Sequence, residues 1–137
     1  MSRILGLDYG ERRIGLAISD PLGIIAKPLR IIDRKITADY IAQISEIITE
    51  KKIISIVVGL PLTLKGYHSE QTKVVLAFIE QLKSEFQIPI MEIDERLSTV
   101  AAKKSLQIQN VKTGHEKGRV DETAAAIFLQ EYLDSKF

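Results

Sequence analysis

The residues of this 137-residue chain best suited to chemistry are acids placed where strands are expected to end. Asp8 sits in "ILGLDYGERRIGLAIS" between Gly6 and Gly10, Asp94 and Glu95 close "IPIMEIDE", and Asp121 precedes "ETAAAIFLQEYL". Carboxylates held within a few ångströms of one another repel, so at least one pKa rises unless a cation neutralises them. Oxygen donors without cysteine or clustered histidine suit Mg2+ or Mn2+ rather than zinc. Two such ions about 3.5 to 4 Å apart can activate a water and stabilise a departing oxygen in phosphodiester hydrolysis. Each acid also has a plainer reading. A strand-end acid can form a turn, Asp121 can cap the helix it precedes, and Glu95 can be solvated while Ser98 caps the next segment. Because neighbouring residues of a strand point to opposite faces, only one of Asp94 and Glu95 enters a shared site while the strand continues.

The elements that must position these acids follow from hydrophobic spacing. Residues 3 to 9 and 13 to 19 are apolar runs around "GERR" and read as a hairpin. "GIIAKPLRII" continues the meander, with Pro28 marking an edge position or an irregularity. "TADYIAQISEIITEKK" shifts to helical spacing, with Thr37 available as a cap. "IISIVVGLP" is a β-branched run suited to a strand covered on both faces. A helix is expected from about Ser69 to Phe86, with Val74, Val75, Phe78, Leu82 and Phe86 on one side, then a short strand in "IPIMEID". "LSTVAAKKSLQI" and "DETAAAIFLQEYL" are two further helices separated by the basic stretch "QNVKTGHEKGR". The order β-β-β-α-β-α-β-α-α predicts a single α/β domain over 1–137, a five-stranded mixed sheet flanked by helices. Gly6 and Gly10 leave room for close backbone approach and a sharp turn, so that Asp8 can project from a buried strand.

Composition narrows the functional classes. With 45% apolar and 27% charged residues the chain is ordinary globular protein. The absence of cysteine excludes disulfides and thiolate catalysis. No run approaches the ~20 apolar residues of a membrane helix, and the first residues carry no signal or transit pattern, so a cytoplasmic location without membrane contact is expected. The net charge of +1 is unevenly spread. From Lys103 to Arg119, five Lys or Arg (103, 104, 112, 117 and 119) accompany one acid, Glu116. Such clustering beside a phosphodiester-cleaving site favours nucleic-acid backbone contact, although a solvated loop has the same composition.

Four ordered motifs, "GLDYGERRIGLAISD", "IVVGLPLTLKG", "DERLST" and "VDETAAAIFLQEYL", closely resemble the YqgF family across essentially the whole chain. These are small bacterial proteins of ribonuclease H-like fold related to Holliday junction resolvases. The resemblance implies a metal-dependent nuclease for the 5' end of precursor 16S ribosomal RNA, or a resolvase of branched DNA. Carried over by position, Asp8, Glu95 and Asp121 become the catalytic and metal-holding acids, with Mg2+ or Mn2+, two ions, as cofactor. Many ribonuclease H-like enzymes place an acid at the end of the fourth strand. That place here reads Val58-Gly59-Leu60, so Glu95 has to substitute.

Arg12, Arg13 and Arg96 stand near these acids and can hold phosphates or pair with the acids. Lys103, Lys104, Lys117 and Arg119 are the remaining nucleic-acid-binding candidates. "GLPLTLKG" can line a cleft, His115 can contact phosphate, and Tyr9 can stack on a base or simply pack. The expected partner is structured RNA, precursor rRNA first, with branched DNA second. Junction resolution requires two sites in a symmetric dimer; a monomer or weak homodimer is expected. A non-catalytic binding module is the competing class, and an actin-like ATP-binding protein is excluded because the chain is too short for two lobes.

Overall fold

The computed structural model describes residues 2–61, 68–94 and 114–135, the side chains of the last segment from residue 124 onward. Five strands, β1 (Arg3–Tyr9), β2 (Arg13–Ser19), β3 (Ala26–Asp33), β4 (Ile53–Leu60) and β5 (Ile90–Asp94), form one sheet in the order β3-β2-β1-β4-β5. The first three are antiparallel neighbours, and β4 runs parallel to both β1 and β5. This is the expected five-stranded mixed sheet, and in it β1 and β5 run parallel with one strand between them. Pro28 lies on the outer strand β3, opposite the register shift at Leu16 and Ala17, where a missing N–H does least harm to the ladder.

Helices α1 (Tyr40–Lys51) and α2 (Glu70–Glu85) cover one face of the sheet, and α3 (Gly114–Ser135) covers the other. Ile44, Ile47, Val75, Phe78, Ile79 and Leu82 pack against Leu5, Leu7, Leu16, Ile56 and Val58. On the opposite face Ala124, Ala125, Phe128, Leu129 and Leu133 meet Ile4, Ala17 and Val57. Residues 4 to 9 of β1 are buried throughout, which explains a run without polar alternation. The backbone N–H of Ile4 donates to the buried Ser19 Oγ at 2.9 Å, which satisfies that hydroxyl.

Local signals account for most helix ends. Ser69 and Thr72 form a reciprocal capping box at the start of α2. Helix α1 departs from expectation, because Asp39 rather than Thr37 is its cap and accepts from the Ala42 N–H at 3.0 Å. A carboxylate one residue before the helix meets its free amides more directly, and Thr37 Oγ1 instead accepts from the Gln43 side chain. Val74 is 45% exposed rather than facing the core with Val75.

The larger correction concerns α3. It starts at Gly114, so residues 114–119 of the basic stretch are helical, and Asp121 lies seven residues inside the helix rather than at its cap. Two glycines argued for a loop, at about 1 kcal/mol each against helix. Once Ala124–Leu133 is packed on the sheet, extension adds a backbone hydrogen bond for each residue fixed. The helix expected over "LSTVAAKKSLQI" lies outside the described residues.

Candidate active site

Asp8 is only 5% exposed, one residue from the end of β1. Leu5, Leu7 and Tyr9 belong to the α1/α2 side, so alternation turns Ile4, Gly6 and Asp8 toward α3. The direct partner of Asp8 on β2 is Gly15. On its other side Leu7 pairs with Val58, which puts Gly59 beside Asp8. Ala17 and Val57, two residues from these glycines, pack under α3, so Gly15 and Gly59 share the face of Asp8. The carboxylate therefore stands in a trough with only hydrogen on either side. A carboxylate buried this far is sustained by hydrogen bonds or by a cation. Gly59 leaves space at that point.

Helix α3 brings the backbone of residue 121 to the same edge. A Cβ built on Gly6 would lie 3.0 Å from Leu129 Cβ and 3.3 Å from the Ala125 carbonyl oxygen, so the helix backbone rests on this glycine. The far end of α3 is fixed by Gln130, which accepts from the Ala26 N–H and donates to the Ile24 carbonyl, both at 2.8 Å. Those partners lie beside the end of β2, so α3 runs antiparallel to β1. From Gly6 to Asp8 the strand advances about 6.6 Å, and from Ala125 back to Asp121 the helix retreats about 6 Å. Backbone positions 8 and 121 thus reach one level of the sheet edge.

Asp94, opposite Leu60 at the end of β5, projects from the other face, because Met91 and Ile93 pack under α3 while Ile90 packs with α1 and α2. Glu95, Arg96, Lys103 and Lys104 lie outside the described residues, as does "GLPLTLKG" beyond Pro61. Lys117 and Arg119 fall in the first two turns of α3. Among the described residues no group of three His, Cys, Asp or Glu side chains is gathered closely enough to hold a metal ion.

The hairpin arginines divide. Arg12 pairs with Asp33 at 3.2 Å rather than with the candidate acids. Although partial burial opposes it, the Lys35 N–H and the Arg12 guanidinium hold the Asp33 carboxyl below its ordinary range. Arg13 opens β2 opposite Asp33. Tyr9 is a packing residue, stacked on Phe78 with 4.0 Å between ring centroids, and burial followed by its hydrogen bond with Tyr40 pushes its phenol up to about 12. Sequence reasoning passed over Arg34. Its Nη1 donates to the carbonyls of Gly10 and Glu11 at 3.0 and 2.7 Å, and no spacing in "IIDRK" signals that reach across the hairpin.

Residues 2–135 match a family model described as "RuvX: Holliday junction resolvase". The chain belongs to the RuvX family. This is the YqgF family under another name, and its members are nucleases, hydrolases of phosphodiester bonds. Among curated relatives, a Desulforamulus reducens protein is 45% identical over 133 residues, 97% of each chain. A Clostridium novyi protein is 43% identical over 97% of this chain and 98% of its own. Both carry the name "Putative pre-16S rRNA nuclease". The RuvX chain also superposes on Thermus thermophilus RuvC in complex with a Holliday junction substrate, with a TM-score of 0.61, 14% identity and coverage of 99% and 96% of the two chains. For the fowlpox virus Holliday junction resolvase the TM-score is 0.53 at 15% identity, over 97% and 99%. At such identities the likeness establishes the ribonuclease H-like fold. Among the described residues no helix is long and apolar enough to cross a membrane.

Proposed function

We propose that this RuvX protein is a divalent-metal-dependent endonuclease that matures the 5' end of precursor 16S rRNA in the bacterial cytoplasm, with Asp8, Glu95 and Asp121 as its catalytic acids. The observation that carries this reading is the buried Asp8 in its glycine-flanked trough, at the level to which α3 brings residue 121. Asp121 lies too deep in its helix to be spent as a cap. Asp94 projects from the opposite face, which leaves Glu95, the acid that the resemblance carries over by position, for the third place.

The donor set is all oxygen, which fits Mg2+ or Mn2+. When bound, two such ions supply an activated water and stabilise the departing oxygen. The chain's own part is to hold three mutually repelling carboxylates on one edge, and to present Lys103, Lys104, Lys117, Arg119, Arg13 and Arg96 to the phosphates around the cleaved bond. Arg12, already engaged by Asp33, contributes its exposed flank.

The names of the relatives favour precursor rRNA. The family description favours a second reading, cleavage of branched DNA, which requires two sites in a symmetric dimer. Incubation with a precursor 16S leader, single-stranded RNA and DNA, and a four-way junction, each with Mg2+ or Mn2+, separates the two. Cleavage of the leader by a monomer or weak dimer supports rRNA processing. Symmetric cutting of the junction alone replaces it with resolution.

A further inference from the structure

The turn that follows Asp8 is held at every carbonyl, and one residue, through its side chain and its backbone, makes three of the five contacts. The carbonyls of residues 9 to 13 each accept a hydrogen bond. Tyr9 O receives Gln71 Nε2 at 3.3 Å, Gly10 O and Glu11 O receive Arg34 Nη1 at 3.0 and 2.7 Å, Arg12 O receives the Arg34 backbone N–H at 2.7 Å, and Arg13 O receives the Gly10 N–H at 2.9 Å. The Arg34 guanidinium also lies over the Tyr9 ring, 4.4 Å from its centroid, and 5.8 Å from that of Tyr40. Its Nε is buried with no hydrogen-bond partner among the described residues. A buried donor left unsatisfied is costly, and an arginine chosen only to tie β3 to β2 would have no need to take it there.

We infer that Arg34 is a positioning residue for Asp8: it holds the turn carbonyls and lies over the face of the Tyr9 ring, and so sets the direction in which the preceding carboxylate leaves β1. The inference rests on the reading of Asp8 as a metal-holding acid. Tyr9 transmits the clamp, because it is the residue next to Asp8 and is wedged between Arg34 and Phe78. Lysine reproduces only part of this arrangement. Its ammonium keeps the charge and can reach a carbonyl, but it lacks the planar guanidinium that lies over the Tyr9 ring while Nη1 serves both carbonyls.

The test compares wild type, Arg34→Lys, Arg34→Ala and Asp20→Ala. Asp20 ties the β2–β3 loop at the opposite edge of the sheet, accepting from the Ile24 and Ile25 N–H groups, and its variant controls for lost stability alone. Two measurements are made well below each variant's melting temperature: calorimetry for Mn2+ affinity, and steady-state kinetics for kcat and KM on the leader RNA. The clamp predicts that both Arg34 variants bind Mn2+ more weakly and lose about tenfold or more in kcat, as expected for a displaced catalytic group, with KM within about twofold, since binding to the phosphate backbone is electrostatic and spread over many contacts. Arg34→Lys retains more activity than Arg34→Ala, and Asp20→Ala matches wild type in both measurements. Should Arg34→Ala fail to fold, Arg34→Lys alone decides. Arg34 variants that bind Mn2+ and cut like wild type overturn the clamp, whereas a wild type that neither binds Mn2+ nor cuts overturns the reading beneath it.

Discussion

Gly6 and Leu129 touch so closely that any side chain at Gly6 would set its Cβ 3.0 Å from the Leu129 Cβ. The contact fixes how deep α3 sits on the sheet, and Asp121 is two turns upstream of Leu129 on the same helix. Gly6→Ala must push α3 outward, because the adjacent Ala125 carbonyl is backbone and cannot turn aside. The expected result is a loss of about 1 to 3 kcal/mol in stability, the usual cost of overpacking, read by denaturant unfolding. Cleavage should fall further than the folded fraction does, since one acid moves relative to the other.

The succession of elements along the chain was legible because each strand carried its own signal. The continuous "IISIVVGL" run became a strand covered on both faces, and Pro28 marked the edge. The approach of α3 to the sheet edge that carries Asp8 was legible only as topology. Its basis, the glycines at 6, 15 and 59 that clear one face around Asp8, appears once the register is known, because Gly15 and Gly59 are neighbours of Asp8 across strands and not along the chain. Arg34 stayed hidden for the same reason, its partners being carbonyls, which no letter of the sequence displays. The start of α3 was misplaced because local glycine preference spoke for a loop, while the helix is held by packing further along.

Tyr9 gives a pH signature. Its phenol is raised from 10.0 to about 12 in the folded protein, mainly by burial. Between those values the unfolded chain releases the proton and the folded one keeps it, so stability falls as pH rises through that window. The component is complete below pH 10 and gone above about 12, with a span of up to about 2 to 3 kcal/mol. Tyr9→Phe should show a shallower alkaline loss of melting temperature than wild type. Parallel curves for the two proteins would remove Tyr9 from the explanation.

Charge reversal at Lys103 and Lys104 addresses the basic stretch. If both neutralise phosphates, their replacement by Glu weakens binding to every nucleic acid tested and flattens the plot of log affinity against log salt by about 0.7 to 0.9 for each phosphate left un-neutralised. Fluorescence anisotropy at several salt concentrations measures it. Unchanged slopes would return both lysines to a solvated surface.

Mn2+ titration of wild type beside Asp8→Asn measures the central claim most directly, with melting temperature and leader cleavage followed on the same samples. Metal should raise the melting temperature of the wild type and support cutting, because an ion that binds only the folded state stabilises it. Asp8→Asn should keep its fold and its RNA affinity while losing both the metal-dependent rise and the cleavage. An Asn variant that is stabilised by Mn2+ and cuts the leader as wild type does would contradict the account, since the buried acid at the end of β1 would then take no part in the chemistry.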